Sequence, residues 1–246
     1  MTSEPSAGDP APAVLDLLCA GAAKGLVTAL QEPFVAATGA SIQGRFGAVG
    51  AMKEALLAGA PCDVMVVTAT MIEALVAGGH LQASPVGVLG RVRTGVAVRA
   101  NDPPPAIGTP DDLRMALLSA DRIFFPDAER STAGIHFAGV LRQLGIADVV
   151  GPRLATYPNG ATAMRALGDA SEPRVLGCTQ ITEINYTAGI RLVGALPKAF
   201  ELATTYSAAV AVAAANAELG ARLVALLSGD ESRTLRLEGG FELDGP

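Results

Sequence analysis

The sequence predicts an α/β fold in two lobes. Apolar strand-like runs alternate with amphipathic helix-like runs along the chain, the rhythm of βαβ units on a parallel sheet. Alanine, valine, leucine and glycine carry the apolar content, with only 4% aromatic residues and no Trp, which suits helices packed on parallel strands. The 246 residues suffice for one large domain or two small ones with a sizeable core.

Val14–Cys19 reads as the first strand and leads through Ala20-Gly-Ala-Ala-Lys-Gly25 into a helix ending near Thr38. Ala40–Phe46 is a strand, Gly47-Ala-Val-Gly50 a turn and Ala51–Ala58 a helix; Asp63–Val67 and Met71–Gly78 repeat the pattern. Gly87–Arg99 is a longer strand pair or crossover, and Asn101-Asp-Pro-Pro-Pro-Ala a stiff turn. Pro110–Ser119 is a helix that Thr109 caps. Strands follow at Leu154–Pro158, Val175–Thr179, Arg191–Val193 and Thr204–Ala213, and helices at Ala161–Leu167, Ala217–Ser228 and Ser232–Glu238. The chain is expected to cross between lobes near residues 90 and 200. Residues 13–88 with 200–246 then form lobe 1, residues 89–199 lobe 2, and residues 1–12 a disordered leader.

Composition excludes several function classes. Net charge is −6, from 18 Lys and Arg against 24 Asp and Glu, without a basic cluster, so no nucleic-acid partner is expected. Cys19, Cys62 and Cys178 are isolated and read as small apolar residues rather than a disulfide frame. With only two histidines, no metal centre is expected, and no cofactor. No run is long enough for a membrane span. The N-terminal stretch lacks the basic and apolar regions of a secretory signal, so the chain as given reads as cytoplasmic, and as periplasmic if it is a processed form.

The stretch Arg122–Gly145 is the most informative. It reads as a short strand, a polar loop holding Asp127, Glu129, Arg130, Ser131 and Thr132, and a helix with apolar positions Ile135, Val140, Leu141 and Leu144. Free N–H groups at a helix start attract an anion, and small residues there let it approach the backbone. No Ser–His–Asp set, phosphate loop or GxGxxG is present.

The order of segments resembles the type II periplasmic solute-binding proteins, in their molybdate-binding-like branch. Its markers are Cys19-Ala-Gly-Ala-Ala, Phe46-Gly-Ala-Val-Gly, Gly59-Ala-Pro-Cys-Asp-Val, Ser131-Thr-Ala-Gly-Ile-His-Phe, Gln180-Ile-Thr-Glu-Ile, Thr205-Tyr-Ser-Ala-Ala-Val and Gly239-Gly-Phe-Glu. The resemblance implies two α/β lobes closing on a small anion at the strand–helix turns. It places the ligand near Gly21, Ala22, Gly47, Ala48, Ser131, Thr132, Ala133, Thr179, Gln180 and Tyr206. An ABC transporter is the implied partner if the chain is exported.

One departure shifts the expected ligand. Molybdate binders of this fold typically use hydroxyls in the first two turns, whereas Ala20-Gly-Ala-Ala23 and Gly47-Ala-Val-Gly50 have none. Each missing bond to a buried charge costs about 1.5–3 kcal/mol. Lys24 and Arg130 instead offer one cation to each lobe, Arg130 with a fork suited to carboxylate. The expected ligand is therefore a di- or tricarboxylate rather than molybdate.

Each residue also has a plain structural role to weigh. Lys24 reads equally as an exposed helix lysine, Arg130 as a loop residue paired with Asp127 or Glu129, His136 as a packed or surface histidine and Glu183 as a hinge or cap partner. Tyr157 and Asn159 are weaker site candidates, and Asp63 reads as structural. Two functions remain open. One is a binding protein that holds the anion. The other is a cofactor-independent isomerase, since aconitate isomerase is similar to this branch. It would use His136, Glu183 or Tyr206 as the proton carrier.

Overall fold

The computed structural model describes residues 13–243, and the expected leader at residues 1–12 lies outside them. Its strands are β1 (Val14–Ala20), β2 (Ser41–Gly47), β3 (Val64–Thr68), β4 (Leu81–Arg99), β5 (Arg122–Pro126), β6 (Leu154–Tyr157), β7 (Val175–Gln180), β8 (Ile190–Ala195) and β9 (Ala203–Ala211). Its first five helices are α1 (Lys24–Thr38), α2 (Val49–Leu57), α3 (Ala69–Ala77), α4 (Pro110–Ser119) and α5 (Thr132–Gln143). The others are α6 (Ala147–Val150), α7 (Gly160–Asp169), α8 (Ile181–Asn185), α9 (Ala217–Ser228) and α10 (Arg233–Gly239).

The strands lie in the order β2-β1-β3-β9-β4-β7-β5-β6, with β8 also paired to β4. β1 runs parallel to β2 and β3, and β5 parallel to β6 and β7. The antiparallel strands β4 and β9 join these two blocks. Helices cover both faces, so β3 and β7 are buried along their whole length, which is why they read as unbroken apolar runs. Through Arg93, β4 pairs with β9; from Thr94 it pairs with β7, and from Gly95 with β8 as well. One strand thus belongs to both lobes.

Two hydrophobic cores flank that change of partner. Leu17, Leu26, Val66 and Leu223 belong to the first, Leu113, Phe125, Val140 and Leu176 to the second. Local chemistry fixes several boundaries. Thr109 accepts the Asp112 N–H and the Asp112 carboxylate accepts the Thr109 N–H, a reciprocal cap that starts α4 with Pro110 at its first position. Asp63 is buried and structural, its carboxylate accepting the N–H groups of Asp16 and Asn216, both at 2.8 Å.

Two expectations need correction. β4 begins at Leu81 rather than Gly87, since Pro85 and the register shift between Leu81 and Val86 disguise its first residues. On α5, Ile135 is 48% exposed; the buried stripe is Phe137, Val140 and Leu141, at the i, i+3, i+4 spacing of one helix face, with the C-cap Leu144 partly buried at i+7. Phe137 meets Phe125 edge-on at 5.3 Å. The segment after β7 forms the short helix α8, which the sequence reading did not identify.

Candidate ligand cleft

The parallel strands deliver their C-terminal ends to one crevice, the place where open α/β sheets bind ligands. From the first lobe come Ala20, Gly21 and Ala22 after β1, and Gly47, Ala48 and Val49 after β2. From the second come Ser131, Thr132 and Ala133 at the start of α5, Asn159 and Gly160 at the start of α7, and Gln180 and Glu183 around the start of α8. Tyr206 reaches in from β9. The enclosed space is about 20 Å³, room for about one water. The lobes are therefore closed upon it, and the Gly50 N–H at the start of α2 donates to the Arg130 carbonyl across the gap at 3.1 Å.

Helix starts on this space are capped differently, α7 by the Asn159 side chain and α2 and α5 by none. α3 and α4 start outside it, with Thr68 and Thr109 as side-chain caps. Ala48 at α2 and Ser131 at α5 provide no side-chain cap, so no side chain takes up the first N–H groups of either helix, and of these the Gly50 N–H goes to the Arg130 carbonyl. Upstream of α5, the Asp127 carboxylate accepts the N–H groups of Glu129 and Arg130 at 2.8 and 2.9 Å. Those two bonds hold its carboxyl below the usual range. The loop thus satisfies its own donors as far as Ser131, whose N–H donates to the Asp127 carbonyl at 3.2 Å, and its open part begins with Thr132.

Gln180 is 2% exposed, and neither atom of its amide completes a well-formed hydrogen bond among the described residues, although the Tyr206 hydroxyl lies near enough to feel it. Such a group costs free energy unless something occupies the cavity it borders. Tyr206, also 2% exposed, stays protonated: burial raises its phenol, the neighbouring Glu183 charge adds to this, and Gln180 offsets part of it. Amide and phenol together supply neutral donors.

Glu183 is buried between the glycine turns of the two lobes. A Cβ on Gly21 or on Gly160 would collide with its carboxylate, so both close approaches require glycine. One carboxylate oxygen accepts the Thr179 hydroxyl at 2.5 Å, the other the Ala161 N–H at 3.2 Å. Burial raises its pKa, and these hydrogen bonds work against that rise.

Three residues expected at the ligand lie elsewhere. The Lys24 ammonium sits 5.5 Å from the Phe46 ring centroid, and Lys24 lines a separate outer pocket. Arg130 faces Glu54 of α2 at 3.6 Å with both side chains more than half exposed. Its backbone, rather than its guanidinium, serves the closed gap. The His136 Nε2 is 2.8 Å from the Phe200 carbonyl, and His136 does not border the cavity. Thr179 reaches the site only through Glu183. None of the residues lining the cavity is a Lys, Arg or His. Asn159 was underrated and Gly160 missed; the signal was Asn159-Gly-Ala-Thr, where Asn159 accepts the Thr162 N–H at 2.9 Å to start α7.

Residues 15–242 match the profile of the family described as bacterial extracellular solute-binding protein. The chain belongs to that family. An aconitate isomerase from a Pseudomonas species is 27% identical over 176 residues, which span 70% of this family member and 64% of the isomerase. The chain thus matches less than two thirds of that relative. Among solved structures, the periplasmic molybdate-binding protein of Azotobacter vinelandii aligns with a TM-score of 0.78 and 17% identity, covering 94% of this chain and 100% of its own. The sulfate-binding protein of Mycobacterium tuberculosis aligns with a TM-score of 0.72 and 16% identity, covering 95% and 88%. These likenesses show the two-lobe fold.

Proposed function

We propose that this solute-binding protein captures a small organic anion by its carboxylate head in the cavity between the lobes. The observation that carries the reading is the buried pair of Gln180 amide and Tyr206 phenol beside the starts of α2 and α5, which no side chain caps. A carboxylate accepts several such donors at once. Charge favours a singly charged head over a tetrahedral dianion. The cavity has no cation in its lining, the first two turns lack hydroxyls, and Glu183 already borders it. Molybdate or sulfate would bring two negative charges to that carboxyl with only dipoles to offset them. The protein acts outside the cytoplasmic membrane and passes its ligand to an ABC transporter; among the described residues no helix is long and apolar enough to cross a membrane.

A second reading rests on Glu183 and on the aconitate isomerase relative. A buried carboxyl with a raised pKa, next to a protonated phenol, has the character of a proton carrier for moving a double bond in a polycarboxylate. It needs no cofactor. Thermal-shift measurements against molybdate, sulfate, mono-, di- and tricarboxylates, followed by NMR of each hit after incubation, test both readings. Carboxylates are expected to stabilise the protein and emerge unchanged. Conversion of cis- to trans-aconitate supports the isomerase, and stabilisation by molybdate or sulfate alone overturns both.

A further inference from the structure

Glu183 is the one acid that lines the inner cavity, and its carboxylate stands where the two lobes meet. Oε2 accepts the Thr179 hydroxyl and Oε1 the Ala161 N–H, both groups of the second lobe. Gly21 of the first lobe only covers it, so closely that a Cβ there would collide with Oε1. The groups around it bring no cation to the carboxylate. Tyr206 faces it from β9 and stays protonated. Tyr186, one turn along α8, donates its phenol to the Leu235 carbonyl at 3.3 Å. Lys24 of α1 holds its ammonium at the Phe46 ring, and Arg165 of α7 donates to the Thr162 hydroxyl at 3.1 Å.

The cavity is shut at about 20 Å³, so a ligand enters only when the lobes part. Parting carries Gly21 away from Oε1 and lets water reach the carboxylate. Closing strips that water again, and a bound anion sets a second negative charge beside the first. Both effects favour the neutral acid. We infer that Glu183 is a proton site of the cleft: closing on an organic anion binds one proton from solvent at Oε1, while Oε2 keeps its bond from Thr179. Anion and proton are captured together and leave together. This inference rests on the carboxylate cleft proposed above and adds the proton to it as a second ligand. One proton cancels one charge, the balance that a singly charged head requires.

The sign of the pH dependence follows. Burial raises the Glu183 pKa above the ordinary 4.5 against the opposing hydrogen bonds of Thr179, Ala161, Gly160 and Gln180. Ligand affinity is then highest below the ordinary value. It falls by up to about tenfold per pH unit as pH rises from there through the raised one.

Calorimetric titration with pyruvate, succinate and tricarballylate over a pH series, in buffers of different ionisation enthalpy, counts the protons. Glu183→Gln, checked for folding by circular dichroism, is the reference, because the ligands' own protons cancel in the difference. Wild type is expected to take up as much as about one proton more per ligand than this variant, whose affinity should be level across the series. Thr179→Val removes a bond that favours the charge and is expected to carry the fall in affinity to higher pH. Equal proton uptake in wild type and Glu183→Gln overturns the proton site and leaves the carboxylate cleft standing. A fall in affinity that Thr179→Val leaves in place does the same. If Glu183→Gln does not fold, wild type with pyruvate, whose carboxyl stays ionised throughout, decides: no proton uptake overturns the site. Failure of all three ligands to bind at any pH overturns the cleft reading and this inference with it.

Discussion

The two walls of the cleft are built differently. The first lobe meets the cavity with main chain and small apolar groups, Ala20, Gly21, Ala22, Gly47, Ala48 and Val49. The second meets it with functional side chains, Ser131, Thr132, Asn159, Gln180 and Glu183. Backbone donors accept any anion of suitable shape, whereas side chains distinguish one ligand from another. On the proposed reading, the difference assigns a general anion seat to the first lobe and the choice of anion to the second. Tyr206 is the exception, a side chain from the first core that reaches the cavity.

The comparison is broken most severely at Tyr206. Tyr206→Ala is expected to lower stability by about 3–5 kcal/mol in urea unfolding, because a fully enclosed ring is lost. Tyr206→Phe keeps that packing and is expected to weaken ligand binding alone. Gln180→Leu comes next. Removing a donor to a charged head is expected to reduce affinity roughly ten- to hundredfold by titration, while the unfolding midpoint stays level or rises because a buried orphan amide is gone. A large fall in stability would mean that Gln180 is structural. Ala48→Ser gives the first lobe a hydroxyl of its own. It is expected to raise sulfate or molybdate affinity about tenfold and change carboxylate binding little.

The pH dependence of stability is a smaller effect. Burial raises the Glu183 pKa in the folded chain above the ordinary 4.5, so its neutral form is the one folding favours. The stability it contributes is complete below the ordinary value and is lost as pH rises through the raised one. The wild-type midpoint minus that of Glu183→Gln should therefore decline with rising pH over this window in thermal unfolding. A flat difference would place the carboxyl outside the buried cleft. The smallest change is Glu54→Gln: the exposed pair with Arg130 is worth less than about 1 kcal/mol, and the unfolding midpoint should barely move.

Much of the fold was legible because strand and helix periods differ and caps are local. Thr109 and Pro110 marked α4 to the residue, and the valine-rich runs marked the buried strands. The site was legible in part. Ser131, Gln180 and Tyr206, expected from the family resemblance, border the cavity. Cation direction was not: Lys24 turns to an aromatic ring and Arg130 to an acid on the facing lobe, and a sequence does not say which neighbour a long side chain meets. Ile135 was misplaced because its helix register follows from Phe137, two residues on.

The bond from the Gly50 N–H to the Arg130 carbonyl is made wholly of main-chain atoms. Proline at position 50 is the one substitution there that deletes its donor, and no exchange at 130 deletes its acceptor. A Cβ at position 50 would also stand 3.2 Å from the Arg130 carbonyl oxygen, so the catch favours glycine there and is indifferent to the side chain at 130 alone. Sequences with the same backbone can drift at position 130 and still shut in the same way, while position 50 carries the constraint.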